Sequence, residues 1–539
     1  GDALNVGNVL EGSVRKSGNK IRVTAQLINA RDGFHLWSKT YDRELADIFD
    51  LQDEVSKEVA LAMKVTLLDS GETSLAASKT SNPEAHDVFL RAQSAVYERT
   101  TAEERRALEL FRTASKLDPE YGPPLLGIAK TAMIMYTNHR TLSFLKAQEI
   151  SKEALDKAAA LDYKNSDYWA TLGLYYHNSS VFDASLVDKA EEAYQKAIEL
   201  NPNNVNAYIW YAALLTENKP GDNLAQAIAL GEKALALDPL NRVANGNQQI
   251  TLADVGRADE AVANLKRLIE LDPGYPTYRH VLATIELTTA RYLDAARNLV
   301  QGNRSDSRQA YVALRLLTLF GDRSLLSDYV EHVPLDNPAQ ELALESGQAL
   351  RMTRPELVAK SQVMLLQPDY EGFSGVVQSR LMELGEWQIV KSLIENAAPD
   401  LKAGRVPIYQ EGIVSDYIVA LYESGETDHA KALARTALGL DEWRHILGPR
   451  GVGFSRVAPL LVLGRTDDAA RELEDGLAQG FLGYFQQGID ENPFYAPWRG
   501  DPRWQRVKAE TKAKLDALRG PVLALYREAG MISREGAAD

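Results

Sequence analysis

The sequence predicts a mostly α-helical solenoid with a small α/β piece on its N-terminal side. Three observations carry that expectation. The first is a signature that recurs between residues 100 and 275: an alanine-patterned helix closed by Leu-Asp-Pro or a near copy. It stands at Lys116-Leu117-Asp118-Pro119, Glu199-Leu200-Asn201-Pro202, Ala236-Leu237-Asp238-Pro239 and Glu270-Leu271-Asp272-Pro273, with a degenerate copy at Leu161-Asp162-Tyr163. Counted between leucines, the steps are 44, 39, 37 and 34 residues, the scale of stacked helical pairs. The second is strict alternation of apolar and polar residues over Lys20–Leu27, the pattern of a strand with one buried face. The third is that beyond residue 83 Gly and Pro fall between helical periods and no convincing strand pattern appears.

Taken in order, residues 1–68 form the α/β piece. Ser17-Gly18-Asn19 and Asp32-Gly33 are turn signals on either side of the alternating run, so strands near Val9–Arg15 and Phe34–Tyr41 complete a three-stranded antiparallel meander. Residues 45–68 read as a helix: Ile48, Leu51, Val55, Val59, Met63 and Val65 share one face at 3.6 spacing and are expected to cover the sheet. Residues 69–83 are Ser/Thr/Gly/Ala-rich and unpatterned, a linker. Residues 84–275 hold the clear repeats. Between 276 and 502 the helical period persists while the motif decays. There Gly385-Glu386-Trp387, Gly425-Glu426-Thr427-Asp428 and Gly464-Arg465-Thr466-Asp467 mark turns inside pairs. Residues 503–539 read as a capping helix and tail, since the end of a solenoid needs one polar face.

Within the repeats, Trp169, Leu172, Gly173 and Tyr176 have the spacing of the first helix of a tetratricopeptide repeat. Ala190, Tyr194, Ala197 and Pro202 have that of the second, with five extra residues between the halves around Ser179–Ser185. Ala107, Phe111, Ala114 and Pro119 give another second helix, as do Ala227, Gly231, Ala234 and Pro239, and Ala261, Leu265, Leu268 and Pro273. Small residues let paired helices approach, large ones fill the space to the next pair, and proline stops the second helix. Over about 86–273 the chain therefore resembles tetratricopeptide repeats.

The N-terminal piece carries a second resemblance. It rests on Asn5–Lys16 with its Leu10-Glu11-Gly12-Ser13-Val14-Arg15 core, on Arg22–Ile28, on His35–Leu45 with His35-Leu36-Trp37, and on Ile48–Val55. Together these resemble the second half of the TolB-like N-terminal (FlgO-like) domain family. That family is often followed by tetratricopeptide repeats in the C-terminal arm of bacterial class III adenylate/guanylate cyclases, or of CadC-like winged-helix regulators. The close Asn492–Trp504 is similar to the usual end of such arms. In the family, an apolar strand and a helix with an Asn-Leu-Ser type sequence open the domain. Neither precedes residue 8 here, so the resemblance implies a sheet with an open edge, prone to pair with a second chain as a homodimer. Gly1 reads as an added residue, and no signal peptide opens the chain.

Composition excludes several function classes. The net charge is −15, from 60 basic and 75 acidic residues, which argues against a nucleic-acid partner gripped through its phosphates. The longest apolar runs, such as Val457–Leu463, fall far short of the roughly 18–20 residues a membrane span needs. With no cysteine, disulfides, thiolate metal sites and a cysteine nucleophile are excluded. The histidines are His35, His86, His139, His177, His280, His332, His429 and His445, and no two stand at the i,i+4 spacing of a helical metal site. Gly448–Gly453 lacks the lysine and spacing of a phosphate loop, and Gly372-Phe373-Ser374-Gly375 lacks the spacing of a nucleophile elbow. No catalytic residue, metal ligand or cofactor site is expected.

What remains is the inner face of the repeats, lined by first-helix side chains. Tyr208, Trp210, Asn245, Asn247, Gln249, Tyr278 and Arg279 are the candidate liners of a peptide groove, where aromatic and amide groups grip an extended segment by stacking and backbone hydrogen bonds. The expectation is thus a non-catalytic protein- or peptide-binding sensory or scaffold arm. The resemblance implies a membrane-anchored cyclase as its parent, with the arm on the periplasmic side, or in the cytoplasm where a relative lacks the span. The equivalent arm of a CadC-like regulator is the first alternative. An enzyme with a hidden site in 300–500 is the second, which converging carboxylates or a His–carboxylate pair in a deep pocket would favour.

Overall fold

The computed structural model describes residues 7–533 except 19, 31, 45–47, 64–78, 99, 140, 181–182, 184, 219–222, 303–306, 334–351, 367–374, 405–410, 440–454 and 483–489. Most of the expected linker, Phe373-Ser374 and the loop 448–453 therefore lie outside the described residues.

The meander forms as the alternation requires. Strands β1 (Asn8–Ser17), β2 (Lys20–Asn29) and β3 (His35–Glu44) pair antiparallel in the order β1-β2-β3. Ile21, Ala25 and Leu27 bury one face of β2, and helix α1 (Ile48–Ala62) lays Leu51 and Val55 on it beside Tyr41. Glu58 of α1 pins the helix down: it accepts from Trp37 Nε1 at 3.1 Å and from Tyr41 Oη at 3.2 Å, and pairs with Lys39. The opposite face is polar, with Arg22–Asp42 at 2.7 Å and Thr24–Thr40 at 3.1 Å. The cover stops short of β1. Leu10 and Val14 stand opposite Leu27 and Val23, on the helix-covered side, yet are 54% and 66% exposed.

Seven helical pairs follow among the described residues. They are α2 (Pro83–Glu98) with α3 (Thr101–Leu117), α4 (Gly122–His139) with α5 (Phe144–Ala160), and α6 (Ser166–Ser179) with α7 (Leu186–Leu200). Then come α8 (Val205–Asn218) with α9 (Leu224–Leu237), α10 (Arg242–Asp254) with α11 (Ala258–Leu271), α12 (Pro276–Thr288) with α13 (Tyr292–Gln301), and α14 (Ser307–Thr318) with α15 (Arg323–His332). Thr100, Ser143, Asn165 and Asn241 cap their helices by accepting from backbone amides of the first turn, supplying partners the helix itself cannot. The Leu-Asp-Pro signature ends helices as the sequence predicts: Asp118, Asn201, Asp238 and Asp272 are all C-cap residues.

First helices of successive pairs, from α2 through α14, pack against one another, while each second helix packs on its own partner and on the next first helix. The first helices therefore form the inner layer and the second helices the outer one. The motif's size pattern explains the packing. A Cβ on Gly127 would lie 2.5 Å from the Phe111 ring, and one on Gly173 would lie 2.5 Å from the Tyr194 ring, so glycine is what lets these aromatic rings bury fully. The stack also curls onto itself: α14 touches α4, and Arg242 at the start of α10 lies 4.7 Å from the Tyr97 ring near the end of α2.

Beyond residue 350 lie α16 (Arg354–Leu366), α17 (Gly375–Glu383), α18 (Trp387–Ala397), the short α19 (Pro399–Lys402), α20 (Glu411–Glu423), α21 (Thr427–Gly439), α22 (Val457–Val462) and α23 (Thr466–Ala478), a 3-10 turn at Pro493–Trp498, and α24 (Pro502–Glu528). Gly385, Gly425 and Gly464 take positive φ at the turns inside pairs, the left-handed region glycine enters without strain. Helix α24 occupies the predicted capping segment and turns back onto α13. Arg519 pairs with Asp322 at 2.5 Å, the Ser533 amide donates to Asp328 at 2.9 Å, and the Tyr329 and Tyr526 rings sit 6.3 Å apart. One apolar core runs from Ala283 to Ile532, so the C-terminal half is closed on itself rather than extended.

Candidate inner-face site

The seven candidate liners do not form one surface. Tyr208, Asn245, Gln249 and Tyr278 are buried. Tyr208 Oη donates to the Pro202 carbonyl at 3.1 Å, and Asn245 Nδ2 donates to the Pro239 carbonyl at 3.0 Å. Each reaches six residues back to brace the turn that precedes its own helix. Gln249 is tied to the Asn245 carbonyl and accepts from Asn264 Nδ2 at 3.1 Å. Tyr278 lies edge-on to Tyr275 at 4.9 Å, and burial raises its phenol well above the usual value. Arg279 points outward to Asn298 Oδ1 (3.3 Å) on α13. Trp210 is half-buried among Leu174, Tyr175 and Ile198. Of the seven, Asn247 lines a cavity.

That cavity, about 80 Å3, lies between α8, α9 and α10. Its origin can be read from the repeat. Eight residues before each terminal Pro119, Tyr163, Pro202, Pro239 and Pro273 stand Phe111, Leu155, Tyr194, Gly231 and Leu265. The four large ones are 0–2% exposed. Gly231 supplies no side chain at the point where its counterparts fill the gap. Gln248 of α10 leans into part of that space, with Oε1 1.9 Å from where a Gly231 Cβ would sit, and the remainder stays open. Its walls are apolar at Ile209, Ala212 and Ala244, and polar at Thr216, Thr251 and Asn247. The two threonine hydroxyls lie 3.4 Å apart, each also donating to a carbonyl four residues back. Glu217 closes the cavity and lies 3.2 Å from Nε2 of the buried His177 on α6, so a carboxylate and an imidazole link adjacent first helices on the inner face.

The arrangement can hold a small side chain with an apolar body and a donor tip. It offers neither a nucleophile with an adjacent base nor a metal set: among the described residues no group of three His, Asp or Glu side chains could hold a metal ion. No helix among them is long and apolar enough to cross a membrane. Sequence reasoning missed Gly231, Glu217 and His177 as site residues. The break at Gly231 in a column of Phe, Leu and Tyr was the available signal; the His177–Glu217 contact joins residues 40 apart and had none.

Comparison with known proteins agrees with the class of fold. The tetratricopeptide repeat family matches residues 193–229, from the second half of α7 through α8 to the start of α9, just short of Gly231. Solved structures with similarity include TTC0263, a thermophilic tetratricopeptide protein of Thermus thermophilus (17% identity, 35% of this chain, 92% of that one, TM-score 0.29), and YrrB, a tetratricopeptide protein with an unusual peptide-binding site (19%, 39%, 97%, 0.22). The chain is a mostly α-helical, tetratricopeptide-like solenoid with an N-terminal three-stranded antiparallel sheet. Among curated proteins it is similar to "Putative adenylate cyclase 3" of Rhizobium meliloti (strain 1021), 35% identical over 157 residues. That match covers 28% of this chain and 27% of the relative.

Proposed function

We propose that this chain is the non-catalytic arm of a bacterial membrane-anchored adenylate/guanylate cyclase, binding a protein or peptide on the inner face of its repeats. The 35% identity to a relative named as an adenylate cyclase supports the parent. The cavity at Gly231, open among first helices beside Glu217, supports the binding role. We place the arm on the periplasmic side of the membrane; the absence of cysteine suits an oxidising compartment. The partner is an extended segment that seats one side chain at Gly231 and offers a donor to Glu217.

The test is capture by the purified chain from periplasmic and cytosolic extracts, identified by mass spectrometry, against Gly231→Phe and Glu217→Ala. A partner from the periplasmic extract, lost in both variants while far-UV circular dichroism is unchanged, is the expected result. Identical capture by all three chains would remove the cavity from the function, and capture from the cytosolic extract alone would overturn the compartment.

A second copy of the chain fits the open side of β1, whose residues are all exposed. An antiparallel register centred on Ser13 sets Glu11 against Arg15 of the copy twice over, on the polar face of the sheet. Opposite charges directly across a strand pair stabilise it. Light scattering at high concentration should therefore report a dimer. Glu11→Arg should return monomer, and Glu11→Arg with Arg15→Glu should restore the dimer. A strictly monomeric wild type would sink this pairing.

A further inference from the structure

Asp416 lies on α20, against α17 and the 3-10 turn. The residue as a whole is partly exposed, while its carboxyl group is enclosed by protein. Its hydrogen-bond partner is Gln378 Nε2 on α17. Among the described residues no cation neutralises it. Arg380, on the same helix as Gln378, pairs with Glu383. Arg499, just past the 3-10 turn, donates to the Asn492 carbonyl at 2.7 Å. Gln378 is 4% exposed, and its Oε1 accepts nothing. A buried carbonyl oxygen without a donor forfeits the hydrogen bond it had in water, and an enclosed carboxylate without a cation is costlier still. Both deficits fall on one amide–carboxylate pair, so one ligand group could answer both.

An aromatic cluster joins α20 to the 3-10 turn: Tyr422 lies 6.1 Å from Phe494, and Tyr495 is buried beside it. Phe494 packs edge-on to Tyr495 at 4.9 Å, Trp504 lies 5.7 Å from Tyr495, and Trp498 lies 5.4 Å from Phe494. We propose that Asp416 and Gln378 Oε1 form a receptor for an organic cation bearing N–H donors, a primary ammonium or a guanidinium. The carboxylate supplies the charge and the amide oxygen takes a second N–H. The site lies in the C-terminal half and owes nothing to the inner-face cavity.

Isothermal titration of the full chain tests this with cadaverine, agmatine and an acetyl-lysine-amide carrying a free ε-ammonium, with tetramethylammonium as the cation without N–H. At pH 8 at least one donor-bearing probe should bind at a single site, and tetramethylammonium at least tenfold more weakly. Tighter binding of the lysine amide than of cadaverine would point to a protein side chain as the natural source, and the reverse to a free amine. Asp416→Asn, which keeps the shape, should weaken binding at least tenfold, and Gln378→Leu severalfold. Burial pushes the Asp416 carboxyl up to about 7, so wild-type affinity should fall between pH 8 and pH 6 as the carboxylate takes up a proton. No saturable heat from any probe, or undiminished binding by a folded Asp416→Asn, would overturn the proposal.

Discussion

Tyr194→Ala is expected to destabilise the third repeat by about 3–5 kcal/mol, the range for deleting a fully buried aromatic ring. Tyr194 is 0% exposed. Its ring covers Gly173, lies 6.1 Å from Tyr211 at a stacked angle, and meets His177 edge-on at 6.5 Å. Alanine would open a void bounded on one side by Gly173, which has no side chain with which to fill it. Tyr194→Phe should behave oppositely. The hydroxyl is buried with no partner, so removing it should cost nothing and could gain about 1 kcal/mol. Because α6 and α7 pack chiefly on the neighbouring helices α4, α5 and α8, the loss should appear as faster amide exchange over residues 166–237 before any global change. Urea titration by circular dichroism with hydrogen exchange by mass spectrometry reads both. A Tyr194→Ala effect below about 1 kcal/mol, or a Tyr194→Phe penalty above it, would show that the ring is not the keystone of this pair.

The same position explains how much of the fold and site was legible in the sequence. Small-against-large spacing is a local signal, and it located the pairs because Phe111, Tyr194 and Leu265 obey it with their glycine or alanine neighbours. The meander was legible because β2 alternates strictly and Gly18 and Gly33 mark its turns. The groove was less legible. Tyr208 and Asn245 carry groups that could grip a peptide, but six-residue reach to the preceding proline carbonyl puts those groups to work inside the turn. First-helix membership alone does not say which way a residue faces. The return of α24 onto α13 and α15 has no local signature either: Arg519–Asp322 and Ser533–Asp328, which tie it to α15, join residues about 200 apart, and each of these residues reads singly as an ordinary solvated surface group.

Glu286→Gln is expected to raise stability at pH 8 and leave it nearly unchanged at pH 5. Glu286 sits on α12 at the level where α6, α8 and α10 carry Tyr176, Leu215 and Leu252, and it is 2% exposed with Oε2 unpartnered. Burial is the main reason its carboxyl is pushed up to about 7; Asp294 on α13 raises it further, while Lys266 on α11 and Arg291 before α13 pull the other way. The sign follows from proton counting. Between the unfolded value near 4.3 and about 7 the native state holds the proton and the unfolded state does not, so stability falls as pH rises through that window and is lowest above it. The ionised side chain therefore costs roughly 3–4 kcal/mol at pH 8, the free energy of ionising the carboxyl against that upward displacement. Glutamine removes the charge and hence the slope, although its amide must find acceptors where the carboxylate found none. Urea midpoints of wild type and variant at pH 5 and pH 8 decide it: parallel pH dependence in the two chains would mean that Glu286 is not the group that titrates. The Arg291 amide donates to the Glu286 carbonyl at 2.7 Å, and the next residue is Tyr292, whose hydroxyl accepts from the Leu482 amide at 2.8 Å and donates to the Gly480 carbonyl at 3.2 Å. Relief of the buried charge should therefore also slow amide exchange at residue 482, where the repeats meet the closed C-terminal half.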